Sequence, residues 1–330
     1  MKNIVPKRRY IFVDYLKVIA ALLIINSHYD QIYPVSALAT GGAIGNAIFF
    51  AVSGFCLFPL NQSFGQWMWG KLLKLYIPTI IMTIIAIFTY KRGILYKENI
   101  ISIFIWPTLF WFVGAILLFY VIYYLLQNVL SNKSFLIMWL VTAIIYIFYY
   151  IFFLDKTKWI IEAKGLDSIE GYFKLIYYFT AMMIGKWFRL NSVKKYKHTH
   201  FYIFIISILF ISIYAVKWLL VKIPALMAFQ FLNQLSILLL IVYIFIFLNS
   251  IEGELQDNRN PKCYKYIKYL SSITLHLYLV QFLVIEYTYS LRFPVNFIIA
   301  TVLILLLASG LNMLSNFIIN LGLRLTRKKN

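Results

Sequence analysis

The sequence predicts an all-α protein that crosses a membrane many times, and three observations carry that prediction. Hydrophobic residues make up 62% of the 330 residues and charged ones only 13%, where ordinary globular domains run near a quarter charged. Apolar runs of about 20 residues recur along the chain, the length a helix needs to cross a hydrocarbon core of about 30 Å. The polar stretches between them are short. The longest, 155–170 and 250–265, are too small to fold around a core of their own. A chain in lipid must satisfy its backbone internally, and long unbroken runs favour helices over barrel strands. Residues 1–330 thus read as a single polytopic domain with no soluble domain, in the cytoplasmic membrane.

Ten spans are expected, at 11–31, 43–60, 72–90, 103–126, 135–154, 171–188, 201–221, 225–249, 267–289 and 295–321. The first follows Lys7, Arg8 and Arg9 as a signal peptide would, but it is long, polar-studded and lacks a small-residue cleavage site, so it reads as a retained helix. The second opens near Asn46 and carries Ser53-Gly54 at mid-depth. The third is entered through Lys71 and Lys74, and the fourth bears Trp111. The next four are rich in Ile, Leu, Phe and Tyr, with a very short turn at 222–224. The ninth holds Glu286, and the tenth is again apolar. An even number of spans puts both termini on one side. That side carries roughly twice the Lys and Arg of the other, so both termini are expected to be cytoplasmic.

The net charge of +20 does not argue for nucleic acid, because the cations are scattered through short loops. That distribution suits membrane orientation and anionic headgroups. Cys56 and Cys263 lie on different segments without metal spacing, and His198 with His200 is one weak pair, so no metal site is expected.

The first span is the informative one. It holds Asp14, Lys17 and His28 among apolar residues, and charge at membrane depth costs about 2.5–3.5 kcal/mol each on insertion scales. Asp14 and Lys17 are three apart on one helix face and are expected to neutralise each other as a structural pair. His28 falls about 16 Å further along the axis. The expected topology places Lys17 in the cytoplasmic half and His28 near the outer end. Asn46, Trp111 and Glu286 then lie in the outer half as well.

These residues resemble those of a known family. DYLKVIAALLIINSH is similar to the opening helix of the integral-membrane acyltransferase family 3, which reads Asp-x-x-Arg, an apolar stretch, then His, with the spacing of Lys17 to His28. GNAIFFAVSGFCLF resembles its Phe-Phe-x-x-Ser-Gly-Phe helix through Phe49, Phe50, Ser53, Gly54 and Phe55. KLLKLYIP resembles its basic entry to the third helix, WFVGAILLFY a later Trp-Phe-Leu opening, and SITLHLYLVQ its late Ser-x-x-x-Tyr-Leu-x-His helix. Lys17, Lys71 and Lys74 stand where the family usually has Arg, and Gln281 where it has His.

The resemblance implies transfer of an acyl group, usually acetyl from acetyl-CoA, to a hydroxyl of a sugar or cell-surface glycan, with a partner in glycan assembly as a further expectation. The CoA phosphates would meet Arg8, Arg9, Lys17, Lys71 and Lys74. His28 would act as general base on the acceptor hydroxyl or carry the acyl group itself. Asn46, Ser53 or Trp111 would donate to the developing oxyanion, and Glu286 would orient the imidazole. Plainer readings stand beside these. His28 and Trp111 suit an interfacial belt, Lys71 and Lys74 positive-inside anchors, and Ser53-Gly54 close helix packing. His276 reads as structural, and Glu252, Glu254 and Asp257 as a solvated loop face. The rival functions are a glycan transporter or flippase, which would show repeats and broken midplane helices, and a polysaccharide polymerase, for which a large polar outer loop is missing.

Overall fold

A computed structural model of the chain describes residues 9–57, 63–89, 103–104, 110–127, 132–155, 171–191 and 199–327. Among these residues there are helices, turns and connections and no strand. The main helices are α1 (Ile11–Ser27), α2 (Gly42–Cys56), α3 (Phe64–Thr89), α4 (Trp111–Gln127), α5 (Asn132–Phe152), α6 (Gly171–Leu190), α7 (Thr199–Lys222) and α8 (Gln230–Ser250). They are followed by the short α9 (Glu252–Asp257), then α10 (Pro261–Ser272), α11 (Thr274–Thr288) and α12 (Val295–Arg327).

Each of the ten expected stretches carries a helix. Five of the described helical segments are long and apolar enough to cross a membrane, or six if α10 and α11 count as one span broken at Ile273. The bounds differ from the expected ones where polar groups intervene. The first helix ends at Ser27 instead of running to residue 31, because the Ser27 hydroxyl turns back to the Ile24 carbonyl (2.7 Å) and Asn26 engages the following loop. The third begins at Phe64, so Lys71 and Lys74 lie inside the helix and not at its entry. Pro78 does not end α3; helical membrane segments absorb an interior proline when packing supplies the rest.

The helices form two compact units. The first comprises Met1–Ala20, Asn46–Phe58 and Phe135–Ser271. Here α7 and α6 both lie against α8, while α2 and α6 approach to backbone contact. A Cβ on Gly54 would sit 1.9 Å from the Met182 carbonyl oxygen, and one on Gly185 only 1.7 Å from that of Ala51. Small residues are what allow such an approach between membrane helices, so Ser53-Gly54 is a packing motif here. Phe50 is fully buried against Tyr178, and Phe55 sits among Tyr10, Phe12 and Phe245.

The second unit comprises Ala21–Gly45, Pro59–Ser134 and Ser272–Asn330. In it α11 packs along α12 and α3, and α3 also meets α12 and α4. The buried side of α11 includes His276, Leu277, Tyr278, Gln281, Val284 and Thr288. Much of α12 presents Leu, Ile and Phe outward, as a lipid-facing helix does.

Candidate functional site

In the first unit the polar residues gather at the start of α1. A helix N-terminus leaves backbone amides without partners and favours an anion there. Glu252 supplies it: its Oε1 accepts from the Ile11 amide (2.8 Å) and its Oε2 from that of Phe12 (3.0 Å). The Gln256 amide nitrogen holds the same carboxylate at 2.6 Å. Glu252 is therefore a buried cap and not part of a solvated face, a correction that rests on a partner some 240 residues away in the chain.

Asp14 follows one turn later. Its Oδ2 accepts from Arg9 Nε (3.1 Å), Arg9 Nη2 (2.8 Å) and the Tyr264 hydroxyl (2.6 Å), and its Oδ1 from the Ser271 hydroxyl (2.7 Å). The expected Asp14–Lys17 pair is thus replaced. Among the described residues the ion pair is Asp14 with Arg9, and Lys17 makes none. The reason is competition. Donors from α10 and from the segment before α1 saturate the carboxylate, and Arg9 approaches from a chain end that is not bound to helical spacing. The carboxylate in turn raises the Arg9 guanidinium further above its ordinary range. Arg8 lies outside the described residues. Arg189 reaches over the Tyr10 ring at 4.7 Å and that of Phe55 at 5.3 Å, adding a cation that sequence reasoning did not single out.

Asn46 and Ser53 belong to this unit too, on α2, and both are half-buried. The Asn46 side-chain oxygen has no hydrogen-bond partner among the described residues.

In the second unit His28 stands one residue beyond α1. Its backbone amide bonds to the Ile25 carbonyl at 3.0 Å, and its ring meets Phe282 of α11 edge-on, centroids 4.7 Å apart. The loop it opens is pinned at several points. Asn26 Nδ2 donates to the carbonyls of Leu38 and Thr40 (2.9 Å each), and Asn26 Oδ1 accepts from the Tyr33 hydroxyl at 2.7 Å. Asn296, buried at the start of α12, donates to the Ile32 carbonyl at 3.0 Å, and the hydroxyls of Tyr29 and Thr301 lie 3.1 Å apart. Gly41 ends the loop at φ +103°, a conformation that L side chains rarely adopt. Sequence reasoning missed Asn26, Tyr33 and Asn296. The run Asn26-Ser27-His28, polar at the close of an apolar stretch, was the available signal.

Glu286 lies on α11 one turn beyond Phe282, in the same unit as His28. No hydrogen bond joins the two side chains among the described residues. Trp111 opens α4 half-buried, its ring beside Phe112. Lys71 extends over the Tyr120 ring at 5.3 Å, whereas Lys74 is exposed. Around Phe282 stand Phe110 at 6.4 Å and Tyr278 at 5.8 Å, and Phe112 flanks Tyr278 at 5.5 Å. His28 thus sits at the edge of an aromatic cluster, on a loop whose backbone is held from both α1 and α12. Such a support fixes an imidazole while, among the described residues, its ring nitrogens stay free of hydrogen bonds, which suits a group that must exchange a proton. Among the described residues no group of three or more His, Cys, Asp or Glu is arranged to hold a metal ion.

Comparison with known proteins bears on the same residues. The model of the acyltransferase domain family that corresponds to integral-membrane acyltransferase family 3 matches residues 10–321. No curated protein and no solved structure matches the chain.

Proposed function

Since the chain belongs to the integral-membrane acyltransferase family 3, we propose that it moves an acyl group, acetyl by preference, from a cytoplasmic acyl-CoA to a hydroxyl of a sugar or cell-surface glycan. The chain crosses the cytoplasmic membrane ten times with both termini inside, as the Lys and Arg bias favours. The donor enters from the basic face and its thin arm leads toward His28. There the imidazole takes the proton of the acceptor hydroxyl as that oxygen attacks the thioester carbonyl. Collapse of the tetrahedral adduct breaks the carbon–sulfur bond, and the proton passes from the imidazolium to the departing thiolate.

The observation that carries this reading is the family match together with the anchored loop that begins at His28. Glu286, on the helix whose Phe282 touches the imidazole, is the candidate to stabilise the protonated ring. Trp111 shares the unit of His28 and is a candidate oxyanion donor; Asn46 and Ser53 are candidates on their sequence positions. The candidate phosphate contacts are Arg8, Arg9, Lys17, Lys71 and Lys74, each judged singly by its alanine variant. Arg9 already serves Asp14, so its replacement is expected to cost stability as well as donor affinity.

The test is acyl transfer from labelled acetyl-CoA to candidate glycans by the purified protein, with His28→Ala alongside. Loss of about 10²–10⁴-fold in turnover is the expected result for removal of a general base. Equal labelling by both proteins would remove His28 from the chemistry. Glycan uptake into vesicles without acetylation would favour a transporter.

A further inference from the structure

Gln281 stands where the family usually has His, and nothing in the reaction above uses it. It lies in the middle of α11, wholly buried, and neither its Oε1 nor its Nε2 has a hydrogen-bond partner among the described residues. One turn earlier on the same face, at the i−3 position, stands buried Tyr278. The next residue after Gln281 is Phe282, which contacts His28. A buried carboxamide left unpaired costs about 1–3 kcal/mol, and Leu or Met of similar size would avoid that cost. The amide therefore points to a ligand group that answers both of its atoms.

A carboxamide offers one acceptor and one donor side by side. An anion answers only the donor, and a cation only the acceptor. A trans secondary amide turns its N–H and carbonyl opposite ways, so two successive amides on one chain answer both atoms, the N–H of one to Oε1 and the carbonyl of the next to Nε2. We propose that Gln281 binds the two successive amides of the pantetheine arm of the acyl donor and so sets the reach of the thioester toward His28. This rests on the acyl-CoA reading above. The flanking rings of Phe110, Phe112 and Phe282 suit the apolar links between the amides of that arm. An acetamido group on a sugar acceptor answers one of the two atoms and a neighbouring hydroxyl the other, and the experiment separates the two sources.

The test uses the full chain in detergent micelles, with Gln281→Leu and Gln281→Met as near-isosteric variants. Calorimetric titration is run with CoA and with 3′-phosphoadenosine 5′-diphosphate, which lacks the arm. The expected result is CoA binding about 10–100-fold weaker in both variants, with binding of the fragment unchanged. The unfolding temperature without ligand is expected to be equal or higher, because an unpaired polar group has been removed. Variants that bind CoA as tightly as the wild type, that lose the fragment equally, or that unfold at lower temperature overturn the assignment. So does a change confined to the KM of an acetamido-sugar acceptor, which would give the amide to the acceptor. Failure of the unaltered protein to bind CoA at all would bring down the acyl-CoA reading, and this inference with it.

Discussion

At the residue scale the consequential difference is between Asp14 and Lys17. Asp14 is buried and accepts from two guanidinium nitrogens and two hydroxyls, three of them donors on Oδ2. Removing it takes away the buried acceptor that Arg9, Tyr264 and Ser271 share, at about 1–3 kcal/mol by the usual scale for a lost buried hydrogen-bond partner. Removing Lys17 breaks no ion pair among the described residues. Asp14→Ala is therefore expected to lower the unfolding temperature in detergent by several degrees and Lys17→Ala by far less, read by a thermal-shift assay. The reverse order would reinstate the Asp14–Lys17 pair. His28→Ala is expected to unfold near the wild-type temperature, since the half-buried ring makes a contact with Phe282 and, among the described residues, no hydrogen bond. A stability loss as large as that of Asp14→Ala would make the imidazole a packing residue first.

One pair of helices, α2 and α6, meets through backbone as well as side chains. The α2–α6 contact leaves no room for even a methyl group at Gly54 or Gly185. Overpacking of this kind costs typically about 1–3 kcal/mol, and more where the obstacle is backbone, which cannot rotate away. Gly54→Ala and Gly185→Ala are each expected to reduce folded yield in membranes, measured by size-exclusion of fluorescent fusions. Gly310, with open space around its Cβ position, is the control that should accept Ala unchanged. The cap on α1 is an element-scale device as well. Glu252→Ala removes both acceptors of the Ile11 and Phe12 amides, a loss of about 0.5–2 kcal/mol by the usual scale of N-cap substitutions. Hydrogen exchange at the first turn of α1 should rise in that variant while exchange in α12 stays as it was.

For the molecule as a whole, cysteine chemistry reads the proposed membrane topology. Cys263 is exposed on α10, among Lys262, Lys265 and Lys268. With both termini inside, a membrane-impermeant maleimide should label Cys263 in inverted vesicles and leave it unlabelled in intact cells, with Cys56→Ser as the background. Labelling from outside would invert the proposed orientation and place the donor-binding face on the wrong side.

Helicity, the positions of the helices and family membership were all legible in the amino-acid order. They depend on the length and apolarity of short windows and on local motifs such as DYLKVIAALLIINSH, and lipid leaves a backbone of that kind few alternatives to helix. The partners of the polar residues were not legible. Arg9 took Asp14 from Lys17, Glu252 capped a helix far away in the chain, and Gln281 proved to be a buried carboxamide with no hydrogen-bond partner among the described residues. Those outcomes turn on which donors the packed helices bring within 3 Å of one another. Hydropathy and spacing within one helix carry no information about that distance, so the tertiary structure alone decided it.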